Sequence, residues 1–439
     1  MSVAARSIGE AFVTIAGRDR VRDDPDALAA STIDGLRPRW LVRPASIEQL
    51  SRLLALACDA RLAVIPVGAG SSLELGNPPS RADVVLDLAG LDQVIEYNPD
   101  DLTITVQAGI SGGALAASLA AHRQWLALDP PGVAARTVGG IVATNASGPL
   151  RGRYGTSRDL LLGVRFVQAD GVVTWGGSKV VKSVSGYDVP KLMVGALGTL
   201  GVLAELTLRL HPLPETERSW LALFENARAA QAFVERVVDS ALQPSRLEVF
   251  DERVLRRVSP ESAGAGVAVS IGSVADAVRE QGERLAAIAR SSAQRVLPLA
   301  DGFWSQAESA MAPPPGAAVL HVASLADRLA GTVGAIEEAF RTVAPQADVR
   351  LSGCAALGTF RVVVSGAGVA ETAAVTTRLR ALVAEVDGSV VVARGPVELR
   401  RAVDPWGPIE PRALALMRSL RDEFDPGRVL NPGRYVGGL

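Results

Sequence analysis

Two long tracts of small residues restrict the folds open to this chain more than any other feature of its sequence. The first runs from Gly68 to Gly76, directly after a predicted strand over Leu62 to Val67. The second runs from Pro130 to Gly155 and is rich in Gly, Ser, Thr and Pro. Small residues over such lengths do not build a core by themselves, and glycine lets a backbone approach a ligand closely. The tracts therefore favour a site in which a large flat ligand lies against backbone amides and hydroxyls.

The first tract does not match the common phosphate-binding loops. Gly68-x-Gly70 begins like a dinucleotide fingerprint, but Leu73 stands where the third glycine is required. Gly76-Asn-Pro-Pro follows instead of a helical pattern, and no Gly-Lys-Ser/Thr step of a P-loop occurs. What remains is a loop whose amides can surround an anion without a helix end, although a purely structural tight turn also explains it.

The composition narrows the function classes. The chain has 439 residues, enough for two or three domains, and its formal net charge of -2 leaves no basic excess for gripping nucleic-acid phosphates. Two cysteines and three histidines argue against a disulfide scaffold, a four-thiolate iron–sulfur cluster and a histidine-rich metal centre. The N-terminal residues lack the apolar run of a secretion signal, and the uncharged stretch 102–122 contains too many polar residues for a membrane span. These features predict a cytoplasmic globular protein.

The pattern along the chain changes at about residue 213. Strands and helices alternate from 38 to 210, and His211-Pro-Leu-Pro214 interrupts them. Apolar strands then separate four helical patterns, at 225–240, 273–293, 324–343 and 370–386. This spacing is typical of two β-α-β units side by side in a separate α+β domain.

Six ordered motifs resemble the vanillyl-alcohol oxidase/PCMH superfamily of FAD-dependent oxidoreductases. They cover residues 40–214 almost continuously and residues 394–439. Within that superfamily the chain is most similar to the FAD-binding subunits of bacterial glycolate oxidases (GlcE) and to the D-lactate dehydrogenase group. The motifs are GAGSSLELG, LALDPPG, TVGGIVATNASGPLRGRYGTSRDLLLG, GGSKVVKSVSGYDVPKLMVG, GTLGVLAELTLRLHPLP and FDPGRVLNPGRY.

The resemblance implies an α+β fold with an FAD-binding domain of the PCMH type in two lobes. This domain is expected over residues 1–212 and is completed at the flavin site by a C-terminal segment, 394–439. A ferredoxin-like cap with an antiparallel sheet is expected as an insertion over residues 213–393. The flavin is expected between the lobes, with its ring facing the cap.

The resemblance also assigns residues to FAD. The first loop is expected to hold the pyrophosphate, the second tract to line the ribityl chain and ring, and the later residues to close the site. Since no histidine or cysteine lies in the first loop, non-covalent FAD is expected. The assigned residues are Gly68, Ala69, Gly70, Ser71, Ser72, Pro131, Thr137, Gly139, Gly140, Thr144, Ala146, Ser147, Gly148, Tyr154, Gly155, Gly198, Gly201, Val202 and Asn431.

Candidate catalytic residues come from the lysine pattern and from the chemistry of the reaction. The chain's three lysines all lie within residues 179–191, and Lys182 falls in a motif shared with the family, so a role in flavin binding or reduction is expected. Oxidation of a 2-hydroxy acid needs a carboxylate clamp and a proton acceptor. Arg394 is the leading clamp, with Arg246 and Arg361 as alternatives, and Glu248 or Tyr187 is the expected acceptor. Each of these also fits a solvated charge or an ion-pair partner.

No metal site is expected, although relatives that oxidise 2-hydroxy acids alone usually carry a histidine cluster. The corresponding segment here reads Val391-Val-Ala-Arg-Gly-Pro-Val-Glu398, and the cap has a single histidine, His321. The expected function is therefore an FAD subunit of a glycolate/D-2-hydroxy-acid dehydrogenase complex that passes electrons to a partner. The resemblance implies a second flavoprotein subunit and an iron–sulfur subunit, through which the complex would associate with a membrane. Two alternatives are a self-standing FAD alcohol or hydroxy-acid oxidase and a flavin electron-relay subunit without turnover.

Overall fold

A computed structural model describes residues 3–179, 186–259, 264–290, 293–385 and 387–439, with side chains from residue 7 onward. The N-terminal half contains two sheets and a short ribbon. Its strands are β1 Val21–Arg22, β2 Trp40–Val42, β3 Val64–Val67, β4 Val84–Asp87, β5 Val94–Asn98, β6 Thr103–Gln107, β7 Gln124–Trp125, β8 Leu161–Val167, β9 Val173–Gly177, β10 Val202–Arg209 and β11 His211–Pro212. Its helices are α1 Val3–Ala16, α2 Pro25–Ala30, α3 Ile47–Asp59, α4 Gly112–Leu119, α5 Val138–Thr144, α6 Arg151–Tyr154, α7 Ser157–Leu160 and α8 Val189–Met193.

The two sheets form two lobes. The first has the strand order β1-β2-β4-β3, in which β4 is parallel to both β2 and β3. The second is antiparallel, in the order β5-β6-β10-β8-β9, and β7 pairs with β11 beside it. Because β3 and β4 run in parallel, the first glycine tract emerges at an edge where carboxyl ends of neighbouring strands meet.

Helix α3 shows how local sequence sets these elements. The Ser46 hydroxyl accepts a hydrogen bond from the Gln49 amide at 3.2 Å, and the Gln49 side chain accepts one from the Ala45 amide at 2.8 Å. This is a reciprocal N-terminal cap, as the sequence pattern predicts. The apolar residues of the helix then fall on one buried face, at Ile47, Leu50, Leu53, Leu54 and Ala57.

The cap is one eight-stranded sheet of two fused ferredoxin-like units. Its order is β15-β12-β14-β13-β17-β18-β16-β19, and every pairing is antiparallel. Each half repeats the β-α-β-β-α-β order, and the halves join between β13 and β17. The strands are β12 Thr216–Phe224, β13 Arg246–Phe250, β14 Ala265–Ser273, β15 Arg295–Pro298, β16 Ala318–Ala323, β17 Asp348–Cys354, β18 Thr359–Ser365 and β19 Ser389–Arg394. The ferredoxin-like antiparallel cap predicted from the sequence is confirmed.

Helices cover one face of the cap sheet with a single hydrophobic core. Phe233 of one helix, Ile336 of another and Leu379 of a third are buried there against apolar strand residues. The opposite face carries a smaller apolar cluster, in which Leu221, Phe250 and Val363 pack against two further helices, and beside it strand side chains that are charged or polar. The helices after β11 are α9 Ala227–Val238, α10 Glu252–Val258, α11 Ala275–Ala289, α12 Phe303–Ala310, α13 Leu329–Val343, α14 Val369–Ala384, α15 Val397–Ala402 and α16 Pro411–Phe424.

None of the helices in the described part of the chain combines the length and the apolar character that crossing a bilayer requires.

Candidate functional site

The first glycine tract contacts the second one. A Cβ atom on Gly68 would lie 2.0 Å from the Thr137 hydroxyl oxygen, so the two loops touch at a point where only glycine fits. Thr137 is the N-cap of α5, and its hydroxyl accepts a hydrogen bond from the Gly140 amide at 3.2 Å. Arg136 donates to the Ser72 hydroxyl at 3.0 Å and ties the loops together from the other side.

The amides of the first tract are unused. In the part of the chain that the structure describes, the backbone N–H groups of residues 69–72 donate no hydrogen bond. Ala69 and Ser71 are exposed, and Gly70 has a φ of +72°, in the left-handed region. Successive free amides on an exposed turn form a cradle for an anion.

The second tract folds back on itself at Asp129. A Cβ atom on Gly148 would lie 1.9 Å from the Asp129 carbonyl oxygen, so Gly148 is in van der Waals contact with the residue that precedes the tract. The Asp129 carboxylate also accepts a hydrogen bond from the Leu150 amide at 3.0 Å. Burial raises the pKa of Asp129 to about 6, although Arg246, 3.3 Å away, opposes that shift.

The C-terminal segment returns to the same place. Asn431 is buried, has a φ of +43°, and donates from Nδ2 to the Leu197 carbonyl at 2.5 Å. Its backbone amide donates to the Val64 carbonyl at 2.9 Å, next to the strand that leads into the first tract. Its Oδ1 atom is buried and has no hydrogen-bond partner among the described residues. Such an orphaned acceptor indicates a missing donor, since buried polar atoms are almost always paired.

A fully buried ion pair stabilises the C-terminal segment where it approaches the glycine tracts. Arg421 and Asp425 are 2.9 Å apart, with side chains 1% and 0% exposed. The Asp425 carboxylate accepts hydrogen bonds from the amides of residues 429 and 430 at 2.9 and 2.8 Å. Arg421 donates to the Thr199 carbonyl at 2.7 Å, and so connects α16 to the Gly198–Gly201 loop. Neither residue was predicted from the sequence, although the FDPGRVLNPGRY motif contains Asp425.

Two further buried arginines fix the far end of the first tract. Arg434 donates to the carbonyl oxygens of residues 73 and 75 at 2.6 and 2.9 Å. Arg400 forms an ion pair with Asp34 at 3.0 Å. Burial lowers the pKa of Arg434 to about 10, with nearby Asp34 and Arg400 acting in opposite directions. Neither arginine was predicted from the sequence, since nothing distinguishes Arg400 from the other arginines of the chain, whereas the FDPGRVLNPGRY motif contains Arg434.

The cap contributes a buried carboxyl group, Glu248 on β13. It is 5% exposed, and its Oε2 atom has no hydrogen-bond partner among the described residues. Burial raises the pKa of Glu248 to about 8; Arg151 opposes the shift, Asp129 adds to it and Arg246 opposes it. Arg151 also donates to the Ser147 hydroxyl at 3.3 Å and to the Thr359 side chain. Glu248 therefore lies on the cap face next to the second tract and carries a proton at neutral pH.

The other predicted catalytic residues are dispersed. Arg394 forms an ion pair with Glu74 of the first tract at 3.1 Å, so it lies near the loops but already has a carboxylate partner. Tyr187 is 96% exposed and none of the contacts above involves it. Lys182 lies outside the described residues.

The remaining residues assigned to FAD surround the same loops. Tyr154 packs edge-on against Trp125 and His211, with ring centroids 5.5 and 5.0 Å apart. Gly155 ends α6 with a φ of +80°, and Val202 is the first residue of β10. Thr144 lies at the end of α5, and its hydroxyl donates to the Gly140 carbonyl at 2.7 Å.

Two family models match separate parts of the chain. Residues 38–177 match the model described as "FAD binding domain". Residues 213–390 and 408–435 match the model described as "FAD linked oxidases, C-terminal domain". The chain therefore contains an FAD-binding domain and the C-terminal domain of FAD linked oxidases. The match identifies FAD as the cofactor of this family, and the residues that bind it in this chain stay predictions.

Curated relatives resemble the chain over part of their length. Glycolate oxidase subunit GlcD of Bacillus subtilis is 31% identical over 261 residues, 58% of this chain and 55% of the relative. The probable mitochondrial D-lactate dehydrogenase of Danio rerio is 33% identical over 218 residues, 49% of this chain and 44% of the relative. The matched region thus spans about half the length of these relatives. The glycolate oxidase relatives found are GlcD subunits, and assignment to GlcE stays a prediction.

Solved structures share the fold at low sequence identity. A structure of p-cresol methylhydroxylase with substrate bound has a TM-score of 0.78 at 15% identity and covers 99% of this chain and 97% of that one. A structure of alkyldihydroxyacetonephosphate synthase has a TM-score of 0.75 at 17% identity and covers 98% and 86%. The predicted FAD fold of the PCMH type is confirmed.

The described residues fit FAD. The free amides of residues 69–72 suit a doubly charged pyrophosphate, since N–H donors stabilise an anion without a cation. The orphaned Oδ1 of Asn431 is an acceptor for the N–H groups that a flavin ring carries. Gly68, which contacts Thr137, contributes no side chain to the space between the free amides and Asn431.

Because burial raises the pKa of Glu248, we expect the stability of the protein to depend on pH. In the folded protein Glu248 keeps its proton up to about pH 8, whereas in the unfolded chain it releases the proton near pH 4.5. The free energy of unfolding therefore falls as the pH rises from about 4.5 to about 8. Glu248→Gln removes the titration. We expect the variant to gain several degrees of melting temperature over the parent at about pH 8 and little at about pH 5. Parallel melting curves across that range would show that Glu248 ionises freely.

Proposed function

We propose that this chain is the FAD-containing subunit of a dehydrogenase complex that oxidises glycolate or another small D-2-hydroxy acid. The convergence of the two glycine-rich tracts and Asn431 on one position carries this proposal. Two relatives with those substrates in their names, a glycolate oxidase subunit and a D-lactate dehydrogenase, support the substrate class. The proposed domain division is residues 1–212 with 394–439 for the flavin and 213–393 for the cap.

The residues proposed to hold FAD are those with free donors or no side chain. Residues 68–72 would bind the pyrophosphate through backbone amides, and residues 131–148 would line the ribityl chain and ring. Asn431 would accept from the ring, while the Gly198–Val202 loop closes the site. Bound FAD supplies a hydride acceptor. The protein has to exclude water, bind the carboxylate and accept the hydroxyl proton.

We propose that electrons leave to a partner. The described residues contain no group of three histidine, cysteine, aspartate or glutamate side chains arranged to hold a metal ion. The word "subunit" in the name of the GlcD relative is consistent with a multi-subunit protein. A second flavoprotein subunit and an iron–sulfur subunit are the proposed partners.

The visible absorption spectrum tests the function. We expect the purified, FAD-loaded protein to show a flavin band that bleaches anaerobically on addition of glycolate or D-lactate, in the presence of any co-purified subunits. Bleaching only when those subunits are retained would support the complex, and bleaching of the isolated chain would support a self-standing enzyme. Failure to retain FAD after reconstitution would overturn the proposal.

A further inference from the structure

One arginine on the open face of the cap sheet lacks a counter-ion. Arg361 on β18 donates one hydrogen bond in the described part of the chain, to the Met311 carbonyl at 2.7 Å, and forms no ion pair there. Burial lowers the pKa of Arg361 to about 10, and Arg350, Arg136 and Arg394 add to that shift against Glu308. A guanidinium has five N–H donors, so most of those of Arg361 are free for a ligand.

The neighbouring arginines are committed elsewhere. Arg350 donates to the carbonyl oxygens of residues 310 and 312, and Arg136 donates to Ser72. Arg394 is paired with Glu74. Of these four arginines, Arg361 therefore has the most N–H donors available to bind a carboxylate. The surrounding positive charges make this face attractive to an anion.

A histidine lies directly beside Arg361. His321 on β16 is the cross-strand partner of Arg361, so their side chains stand next to each other on the same face of the sheet. Leu320 and Val322, on either side of His321, are buried in the core on the helix face. The imidazole reaches solvent on this face. The surrounding protein displaces part of its hydration, and this effect, with the charges of Arg361 and Arg151, lowers its pKa to about 4. It is therefore neutral at physiological pH, and no hydrogen bond among the described residues occupies its acceptor nitrogen.

The pair lies close to the proposed flavin site. Thr359, two residues before Arg361 on β18, accepts hydrogen bonds from Arg151. Arg151 in turn donates to Ser147 of the second glycine tract at 3.3 Å. A small molecule bound at Arg361 would therefore lie between the cap sheet and the tract proposed to line the flavin ring.

We propose that Arg361 and His321 form the substrate site, with Arg361 binding the carboxylate of a small 2-hydroxy acid and His321 accepting the proton of its hydroxyl group. This proposal rests on the proposed function. Conversion of the hydroxyl carbon to a carbonyl breaks its C–H bond with loss of a hydride, for which FAD is the acceptor, and breaks the O–H bond with transfer of the proton to the imidazole nitrogen. Atoms and electrons then balance with a 2-oxo acid as product. Glu248 is less suited to accept that proton because it already carries one.

Binding of oxalate tests the arginine separately from turnover. Oxalate is a planar carboxylate with no oxidisable C–H bond, and its affinity for the FAD-loaded protein can be measured by calorimetry. We expect Arg361→Met to weaken oxalate binding by on the order of 30-fold, because a charge-assisted bidentate contact is lost. The matched control Arg284→Met, which removes an exposed cap arginine paired with Glu280 on α11, should change it less than about threefold. Equal affinities of Arg361→Met and the parent, or an equal loss in Arg284→Met, would overturn the assignment.

Rapid-mixing kinetics test the histidine. We expect His321→Asn to lower the limiting rate of flavin reduction by on the order of 100-fold while oxalate binding and FAD content are retained. Arg361→Met should instead raise the substrate concentration needed for half-maximal rate. Reduction of His321→Asn at the parental rate would remove His321 from the proposal. If the parent binds oxalate through Arg361 but no 2-hydroxy acid reduces its flavin, the proposed function and the role of His321 fail, and the anion site at Arg361 stands.

Discussion

Replacing Asp425 with alanine is expected to lower the free energy of unfolding by about 3–5 kcal/mol, because it leaves the Arg421 charge buried without a partner. The same change removes the acceptor for the amides of residues 429 and 430, which shape the turn before Asn431. Urea denaturation measures the loss of stability, and FAD titration measures the effect on the site. Both should fall together, since the ion pair holds Asn431 in place.

Asp422→Ala is the matched control for that experiment. Asp422 lies on the same helix and also pairs with an arginine, Arg428, but the two side chains are 60% and 38% exposed. Exposed pairs contribute little, so we expect a change of less than about 1 kcal/mol. If Asp425→Ala and Asp422→Ala destabilise the protein equally, the buried pair does not organise the C-terminal segment.

The second large effect is expected at Gly68. In Gly68→Ala the added methyl group would lie 2.0 Å from the Thr137 hydroxyl and 3.0 Å from its Cβ, so the two glycine tracts have to separate. We expect FAD affinity to fall by about 100-fold, equivalent to ~2.7 kcal/mol. Fluorescence titration of the apoprotein with FAD checks this value.

Two further variants show whether the collision is the cause. Gly331→Ala adds the same methyl group inside α13, where nothing lies within 4 Å of the new atom, and should leave FAD affinity unchanged. Thr137→Ala loses an N-cap, which costs about 1 kcal/mol, but it creates room for the methyl group. The double variant Gly68→Ala/Thr137→Ala should therefore bind FAD better than Gly68→Ala alone. No recovery would indicate that Gly68 is needed for its backbone and not for space.

Features that depend on local backbone demands were predictable from the sequence. The cap of α3 at Ser46 follows from a local capping pattern, and the separate α+β domain follows from the alternation of apolar strands with helical patterns. The two glycine tracts could also be recognised, because glycine appears wherever a loop must approach another backbone closely. Contact of the tracts at Gly68 and Thr137, however, joins positions that no sequence pattern relates.

The type of fold and the cofactor could be inferred from the sequence, because six ordered motifs, two of them glycine-rich, resemble those of FAD-dependent oxidoreductases. Which of many similar arginines are structural and which are free emerged from the three-dimensional packing alone. Arg421 is paired inside the protein, Arg394 is paired with a residue 320 positions away, and Arg361 forms no ion pair within the part of the chain that the structure describes. The physical reason is that burial and pairing of a charge depend on long-range packing, whereas an arginine looks the same at every position of a sequence.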